Sequence, residues 1–342
     1  MTDLAFRLLR LLADGDFHSG AALARALGVS RGTIWNAVHA LECAGLEVYK
    51  VRGRGYKLSE AVSLLDAAAI ARSVGSAGAR LIVDVVDSAG STNTALMARA
   101  GAGAPGGTVL ATEWQPSGRG RMGRPWHAGI GRALTFSILW RFTQGAGAMA
   151  GLSLAVGLAV VRALHQLGAQ EVRLKWPNDV LWRGQKLAGI LIEMQGDALG
   201  PSAVVIGIGL NVRLSAAMRE RIDQPVTDVE SACGTALERS EVLARVLDHL
   251  VQILDIFSAT GFAPLRDEWE RHHAYQGDRV AIRLPTGKVE EGVALGVAED
   301  GALLFQSGLA VRRLHSGEIS VRAAAAAPAP GHGAPKRARS RA

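Results

Sequence analysis

Near the N-terminus, hydrophobic positions recur with helical spacing and then give way to short alternating runs. Ser19 and Ser30 each come directly before one of the helical patterns, where a serine side chain is suited to cap a helix N-terminus. The pattern predicts helices over residues 4–12, 21–27 and 31–43, followed by strands over residues 46–51 and 56–58.

This order of helices and hairpin is typical of a winged helix-turn-helix domain that binds DNA. In the third helix Ile34, Val38 and Leu41 are expected to face inward. The hairpin carries four basic residues between Lys50 and Lys57 and no acid, as contact with phosphates requires. The side chains predicted to contact DNA are Ser30, Arg31, Thr33, Trp35, Asn36, Arg52 and Arg54. A three-helix module that packs against the rest of the chain or binds protein is the alternative.

A linking helix beginning near Ser63 leads into a longer region in which apolar runs alternate with helical patterns. Strands are predicted over residues 81–86, 108–113, 133–140, 172–175, 180–182, 186–194 and 203–211. Helices are predicted over residues 93–99 and 152–167, then over 241–257 behind Ser240 and over 262–272. Short strands with glycine turns from 277 to 322 are typical of a small SH3-like β barrel.

The chain is therefore predicted to be a multidomain α/β (α+β) protein. The predicted units are a winged helix-turn-helix domain (1–62), a central domain (63–275), an SH3-like domain (276–322) and a disordered basic tail (323–342).

Composition changes this picture little. The formal net charge is +7, but the tail alone contributes Lys336, Arg337, Arg339 and Arg341, so charge by itself argues weakly for DNA binding. The two cysteines, Cys43 and Cys233, form no metal motif or disulfide framework and suit a reducing cytoplasm. Charges in the first apolar segment exclude a signal peptide. The uncharged stretch 145–161 is interpreted as a core helix rather than a membrane span.

The first candidate site is the loop from Glu113 to Trp126, in which three glycines alternate with three arginines: Gly118, Arg119, Gly120, Arg121, Gly123 and Arg124. No acid occurs between Glu113 and Glu171, so no sequence neighbour neutralises these arginines. Glycine lets a backbone approach a ligand closely, and arginine offers a planar fork of donors to phosphate or carboxylate. We interpret the segment as a flexible anion-binding loop that becomes ordered on a phosphorylated ligand. The alternative is a solvated basic loop.

Gly118 to Gly123 also spell Gly-x-Gly-x-x-Gly, but the dinucleotide-binding interpretation fails. That motif requires a helix immediately after the glycines and an acid about 20 residues later. Here Arg124-Pro125-Trp126 and a strand follow, within the stretch that has no acid.

Two further groups of polar residues lie at predicted strand ends. Lys175 and Asp179 flank a turn containing Pro177, and Lys186 opens the next strand, so these charges are expected at one end of the sheet. Ser91, Thr92 and Asn93 stand at a strand-to-helix junction, where they either cap the helix or bind a small polar ligand. Gly207 and Gly209 mark a buried strand that another chain segment or a ligand approaches closely. His272 and His273 are interpreted as a helix-end pair, not a metal site.

Taken in order, four motifs resemble the biotin protein ligase family. They are Gly118-Arg-Gly-Arg-Met-Gly-Arg124, Lys175-Trp-Pro-Asn-Asp179, Lys186-Leu-Ala-Gly-Ile190 and Gly207-Ile-Gly-Leu-Asn211. With the winged helix, residues 1–322 are similar to the bifunctional ligases that also repress the biotin operon. The resemblance implies a class II synthetase-like mixed sheet. Met122 departs from it, standing where arginine is common, and Ala89 and Gly90 lengthen the approach to Ser91.

The resemblance implies a two-step reaction. Biotin and ATP form biotinyl-5'-AMP, and a lysine of the biotin carboxyl carrier protein then takes the biotin. Implied catalytic residues are Arg119, Arg121, Lys175, Asp179 and Lys186, with Asp179 the candidate that accepts a proton from the carrier lysine or orients it. Implied binding residues are Ser91, Thr92, Asn93, Gln115, Arg119, Gly120, Arg121, Lys175, Gly189 and Asn211.

The same resemblance implies Mg²⁺ accompanying ATP, operator DNA as a partner, a homodimer promoted by ligand, and a cytoplasmic protein without a membrane anchor. No sequence motif dedicated to Mg²⁺ is visible. Two other functions stay open: a lipoate-type ligase, and a non-enzymatic regulator that senses biotin.

Overall fold

A computed structural model describes residues 1–196, 200–284, 286–315 and 320–323. Its N-terminal helices begin at side-chain caps, since the Thr2, Ser19 and Ser30 hydroxyls each accept a backbone N–H of the following first turn. Gly28 ends the second helix in the left-handed conformation (φ 67°). The elements are α1 (Asp3–Leu12), α2 (Gly20–Leu27), α3 (Arg31–Cys43) and an antiparallel pair, β1 (Val48–Val51) and β2 (Gly55–Leu58).

A linking helix, α4 (Ala67–Ser73), capped by Asp66, leads to a seven-stranded mixed sheet. Its strands are β3 (Ile82–Ser88), β4 (Thr108–Trp114), β5 (Ala133–Phe142), β6 (Val172–Lys175), β7 (Asp179–Trp182), β8 (Gln185–Gly196) and β9 (Ser202–Asn211). Their order is β3-β4-β5-β9-β8-β7-β6, with β3 and β4 parallel and every other neighbouring pair antiparallel. The predicted fold class is thereby confirmed.

Helix α5 (Thr92–Gly101) lies on one face of this sheet, and α6 (Leu152–Gln166) and α9 (Arg239–Thr260) lie on the other. The shorter helices are α7 (Ala216–Arg221), α8 (Val229–Cys233) and α10 (Arg266–His272). Side chains alternate between faces along a strand. On β4, Leu110 therefore packs against α5, whereas Val109 and Ala111 join the larger core that contains α6 and α9.

The boundaries of some helices differ from the prediction. Helix α9 begins at Arg239, before Ser240, and Glu238 occupies the cap position without accepting a hydrogen bond from an N–H of the helix. Residues 263–265 form a separate 3-10 turn ahead of α10. The short helices α7 and α8 were not predicted, because neither is long enough to show a hydrophobic period.

Within the described part of the chain, one helical segment, Ala146–Gln166, is long and apolar enough to cross a membrane by those two criteria alone. Most of its apolar window is buried inside the protein, as the second half of the segment, α6, packs against α9 in the main core.

The C-terminal domain is a five-stranded antiparallel sheet in the order β13-β12-β11-β10-β14. Its strands are β10 (Arg279–Arg283), β11 (Val289–Val297), β12 (Leu303–Ser307), β13 (Ala310–Leu314) and β14 (Ser320–Ala323). The predicted disordered tail lies outside the described residues, apart from Ala323, which ends β14.

A buried ion pair joins the linking segment to the central domain. The guanidinium of Arg239 lies 2.7 Å from the carboxylate of Glu113, and each side chain is only 3% exposed. Arg239 also donates to the backbone carbonyls of Ser63 and Ala133. Glu113 in turn accepts the backbone N–H of Leu65. The pair thus fixes the linker to the ends of β4 and β5 and to the start of α9.

The N-terminal domain also packs directly against the central domain. Ile130 is 1% exposed and belongs to the hydrophobic core of the winged-helix domain, and Trp114 packs on the same cluster. Ion pairs extend this contact, from Arg10 on α1 to Asp87 on β3 and from Arg132 to Glu60.

Glu113→Gln should destabilise the protein strongly, because it leaves the buried guanidinium of Arg239 without a counter-charge. Removing one partner of a buried ion pair costs about 3–5 kcal/mol. The check is the midpoint of urea denaturation. Glu171→Gln serves as the matched control, since Glu171 pairs with Arg183 on the surface, where such pairs contribute below about 1 kcal/mol. Equal midpoints for the two variants would contradict the structural role of Glu113.

Candidate functional site

A cleft opens on the face of the central sheet that also carries α5. Because side chains alternate along a strand, Gly207 and Gly209 of β9 share this face with Val205, which packs under α5. Their partners in the β8–β9 register are Leu191 and Gly189. The floor of the cleft, next to the N-terminus of α5, is therefore formed mostly by backbone atoms of β8 and β9.

Gly207 and Gly209 of β9 leave no room for a larger side chain, because other side chains lie directly on them. A Cβ built on Gly207 would come within 3.0 Å of the Asn93 amide, and one on Gly209 would come equally close to the Trp126 indole. Trp126 was not predicted as a site residue, although it ends the arginine loop. Its indole Nε1 is buried and has no hydrogen-bond partner among the residues described. An aromatic face thus covers one part of the floor.

The arginine loop folds back on itself beside this cleft. The N–H of Trp126 donates to the carbonyl of Gly118 (2.8 Å), and the N–H of Gly120 donates to that of Arg124 (2.7 Å). At the tip Met122 has a positive φ of 57° and is 60% exposed. That the loop becomes ordered only on a ligand stays a prediction.

Lys175, Asp179 and Lys186 lie together, as the sequence predicted. The Asp179 carboxylate is 3.1 Å from the Lys175 ammonium and 2.7 Å from that of Lys186. Burial alone would raise the pKa of Asp179, but the two ammonium groups outweigh burial and hold that pKa below its ordinary value. The carboxylate is therefore ionised at neutral pH, with an oxygen on each lysine.

Strand pairing explains this cluster. Lys175 ends β6 and stands opposite Asp179 at the start of β7, across a tight turn. Trp176 in the turn is fully buried, and its indole N–H donates to the carbonyl of Gly301 (3.0 Å), which anchors the turn to the C-terminal domain. Asn178 donates to the carbonyl of Ile190 on the other side (2.8 Å).

Arg121 faces the same end of the cleft. Its guanidinium donates to the Asn178 amide oxygen (3.3 Å), and partial burial lowers the pKa of Arg121 while the nearby Asp179 raises it. Arginine remains charged in proteins. Among the described residues, Arg121, Lys175 and Lys186 therefore lie around the Asp179 carboxylate, which pairs with both lysines.

Arg119 has an acidic partner that its neighbours in the sequence do not supply. Its guanidinium lies 2.9 Å from the Glu193 carboxylate and also donates to the Thr94 hydroxyl (2.7 Å). The sequence argument considered only neighbours along the chain, whereas β8 brings Glu193 from a distant position. Arg119 thus belongs to the α5 side of the cleft, opposite the lysines.

Ser91, Thr92 and Asn93 form a buried polar wall, each less than 9% exposed. The Ser91 hydroxyl caps α5, and the N–H of Thr92 donates to the side-chain oxygen of Gln115 (2.8 Å). The two interpretations of this junction are therefore compatible: these residues cap the helix and also line the cleft.

The cleft brings together nearly all the predicted catalytic and binding residues. Those that line it are Ser91, Thr92, Asn93, Gln115, Arg119, Gly120, Arg121, Lys175, Asp179, Lys186 and Gly189. Asn211 is not among them. It is 2% exposed, and its amide donates to the carbonyl of Thr227 (3.0 Å), so it ties the end of β9 to the segment before α8. Lining residues to which sequence reasoning gave no role include Trp126 and Gln224.

The predicted DNA-contacting residues lie on the winged-helix domain, away from the cleft. Ser30 and Thr33 are engaged with each other at the cap of α3, 2.8 Å between hydroxyls. The indole of Trp35 is 54% exposed and stacks on His39. Exposed side chains available to a partner are Arg31, Trp35, Asn36, Arg52 and Arg54.

Comparison with known proteins places each part of the chain. Residues 85–211 match the biotin/lipoate A/B protein ligase family, 5–57 match an HTH domain, and 276–322 match the biotin protein ligase C terminal domain. The bifunctional ligase/repressor BirA of Salmonella typhimurium is 36% identical, over 94% of this chain and 99% of that protein. The Escherichia coli BirA is 35% identical, over 93% and 97%.

A solved structure gives the same result for the fold. The biotin protein ligase from Aquifex aeolicus in complex with biotin and ATP superposes with a TM-score of 0.62 at 28% identity. The match covers 71% of this chain and 99% of that one.

Gly209→Ala should displace the Trp126 indole, because the added methyl group would overlap the ring; overpacking of this kind costs about 1–3 kcal/mol. The measurement is the NMR resonance of the Trp126 indole N–H, which should shift and exchange faster with water. Gly147→Ala is the control, since a Cβ at Gly147 meets nothing within 4 Å. An unchanged indole resonance in Gly209→Ala would refute the packing of Trp126 on the cleft floor.

Proposed function

The chain belongs to the biotin protein ligase family, and we propose that it makes biotinyl-5'-AMP and transfers the biotin to a lysine of a biotin carboxyl carrier protein. Biotin and ATP are the substrates of the first step. The observation that carries this function is the position of three cations, Arg121, Lys175 and Lys186, beside a buried polar pocket. One end of the cleft suits a polyanion, and the other suits a small polar ring.

In the first step a carboxylate oxygen of biotin attacks the α-phosphorus of ATP, and pyrophosphate leaves as the bond to the α-phosphorus breaks. Negative charge accumulates on the phosphate oxygens in the transition state, so positioned cations lower the barrier. We assign this role to Lys175, Lys186 and Arg121, which are held at one end of the cleft.

In the second step the unprotonated amine of the carrier lysine attacks the carbonyl carbon of the adenylate, the C–N bond of the amide forms, the bond to the phosphate oxygen breaks, AMP leaves, and the proton lost from the nitrogen passes to water. Asp179 was the candidate to accept the lysine's proton. Its lowered pKa and its two ammonium partners make it a weak base, since a carboxylate so stabilised binds a proton poorly. We therefore assign Asp179 an orienting role, holding both lysines toward the phosphates.

Biotin's ureido ring is a neutral group with two N–H donors and one carbonyl acceptor. The wall of Ser91, Thr92 and Gln115 offers hydroxyl and amide partners of both kinds. The Lys186 ammonium lies over the face of the Trp126 indole, 5.9 Å from the ring centroid. We assign that aromatic face to the adenine, because nucleobases stack on aromatic side chains. Asn211, buried behind Lys186, would support the adenine site only indirectly.

Mg²⁺ remains a prediction. Within the described ranges no group of three or more His, Cys, Asp or Glu side chains could hold a metal ion, and the Asp179 carboxylate is already paired with lysines. The ion would therefore be held by ATP phosphates and water, as is usual for Mg²⁺ with nucleotides. No step of the mechanism is assigned to a protein-bound metal.

We further propose that the protein represses biotin biosynthesis genes by binding operator DNA as a dimer in the cytoplasm. The HTH match and the exposed face of α3 support DNA binding, and Cys43 and Cys233 are free thiols. Dimerisation follows from the geometry of such domains, since one helix-turn-helix reads only a half-site.

Two alternatives are less well supported. The dithiolane head of lipoate has no hydrogen-bond donors, so it would gain less from the polar wall around Thr92 than the ureido ring of biotin would. A sensor without enzymatic activity would not need Arg121, Lys175 and Lys186 together at one end of the cleft. By name, the two cited relatives are bifunctional ligase/repressors and the solved neighbour is a biotin protein ligase.

Arg121→Ala should release biotinyl-5'-AMP at least about tenfold faster, because a charge-assisted hydrogen bond contributes about 1.5–3 kcal/mol. The assay incubates the protein with ATP, labelled biotin and a carrier domain, and follows free adenylate and labelled carrier. Arg245→Ala is the control, because Arg245 forms an ion pair with Glu241 on the solvent-facing side of α9. A parent protein that fails to label the carrier would overturn the proposed function. Unchanged adenylate release in Arg121→Ala would show that Arg121 does not retain the adenylate.

Biotinyl-5'-AMP should promote homodimerisation, and dimerisation should strengthen operator binding by linkage. Ordering of the arginine loop on the adenylate would present the new surface. The measurement is sedimentation velocity and operator binding with and without a non-hydrolysable adenylate analogue. The Arg52→Ala, Arg54→Ala double variant should dimerise like the parent but bind DNA weakly, because it lacks two exposed wing cations. A monomer–dimer equilibrium indifferent to the analogue rules out the switch.

A further inference from the structure

Glu193 lies behind the cleft, on β8, and no motif draws attention to it. In the β8–β9 register it stands opposite Val205, on the sheet face that carries α5. Its carboxylate accepts two hydrogen bonds from the Arg119 guanidinium, at 2.9 and 3.1 Å. It also accepts one from the Asn93 amide, at 2.8 Å. One carboxylate therefore joins the arginine loop to the polar wall of the cleft.

Asn93 is held from several sides. Its amide nitrogen donates to Glu193 and to the carbonyl of Leu191, which accounts for both of its hydrogens. Its amide oxygen accepts from the hydroxyl of Ser137 (2.6 Å), a residue that is fully buried. Asn93 therefore has no amide hydrogen left for a ligand. It acts as a bridge between β5, β8 and the N-terminus of α5.

The network continues to the other end of the wall. The Ser137 hydroxyl lies 2.7 Å from that of Thr92, and the Thr92 N–H donates to Gln115. Gln115 follows β4 and precedes the arginine loop, and Arg119 lies within that loop. The hydrogen bonds thus form a closed path from the loop's start, across the cleft wall, to its first arginine.

We propose that Glu193 is a positioning residue that holds Arg119, and with it the first half of the arginine loop, against the wall of the biotin pocket. The inference rests on the proposed function. Since Glu193 does not line the main cleft, it acts through Arg119 and Asn93. Biotin then meets a loop whose first arginine is already placed, and less ordering entropy opposes binding.

The role of Glu193 concerns biotin and not the nucleotide, because the ion pair lies on the α5 side of the cleft, whereas Lys175 and Lys186 lie on the other side. Glu193→Gln keeps the size and one acceptor oxygen but removes the charge that pairs with Arg119. The dissociation constant for biotin, measured by calorimetry, should rise about fivefold, as suits a partly exposed bidentate ion pair. The KM for ATP and kcat should stay within about twofold.

Glu268→Gln provides the matched control. Glu268 forms a bidentate pair with Arg162 at similar exposure, on α10 and far from the cleft. It should leave biotin binding unchanged. Circular dichroism and the melting temperature of both variants establish that each is folded.

A double-mutant cycle separates positioning through Arg119 from a general structural effect. Biotin binding is measured in the parent, in Glu193→Gln, in Arg119→Ala and in the double variant. If Glu193 acts through Arg119, Glu193→Gln adds no further weakening in the Arg119→Ala background. Full additivity overturns the inference, as does a Glu193→Gln variant that binds biotin like the parent. A parent that binds no biotin would instead refute the proposed function.

Discussion

The ion pair between Glu113 and Arg239 is the constraint on which the positions of the other parts depend. Burying two charges is costly, and it is tolerated here because further hydrogen bonds reach both groups, leaving Nε of Arg239 without a partner among the described residues. Those bonds come from the linker, from β5 and from the end of β4, so three segments distant in sequence meet at one point. Gln115 and the arginine loop leave β4 directly after Glu113. The starting point of the ligand-binding loop is therefore fixed by the same contact that fixes the linker to the DNA-binding domain.

The cleft shows a division of charge that follows from the sheet. One wall is neutral and polar, built from Ser91, Thr92 and Asn93, and the opposite end is cationic, with a single carboxylate between two lysines. Like charges at this spacing repel, and Asp179 offsets that repulsion without cancelling it. The arrangement suits a ligand in which a neutral polar ring and an anionic group are held apart. In biotinyl-5'-AMP the valeryl chain separates the neutral ureido ring from the phosphate, and the adenosine lies beyond the phosphate.

Much of this fold could be predicted because local chemistry determines it. Serine caps and hydrophobic periods predicted the first three helices, and continuous apolar runs predicted the strands of the central sheet. The positions of Lys175 and Asp179 also followed from a short turn. What failed were contacts made by residues distant in sequence. The Glu193 partner of Arg119 comes from another strand, and the buried position of Asn211 depends on Thr227. The sequence predicted that something approaches Gly209 of β9 closely, but no local pattern reveals that this neighbour is Trp126.

The arginine loop is attached to the DNA-binding domain at both of its ends. Trp114 lies at the start of the loop and Ile130 lies shortly after its end. Both pack on the hydrophobic core of the winged-helix domain. Gly131, with a φ of 68°, lets the chain turn there against Val62 of the linker. Packed cores resist small displacements. A change in the conformation of the loop therefore strains the winged-helix domain, and a change in that domain strains the loop. The candidate cleft and α3 are therefore connected through one hydrophobic cluster, which contains core residues of α3 and is contacted by both flanks of the loop.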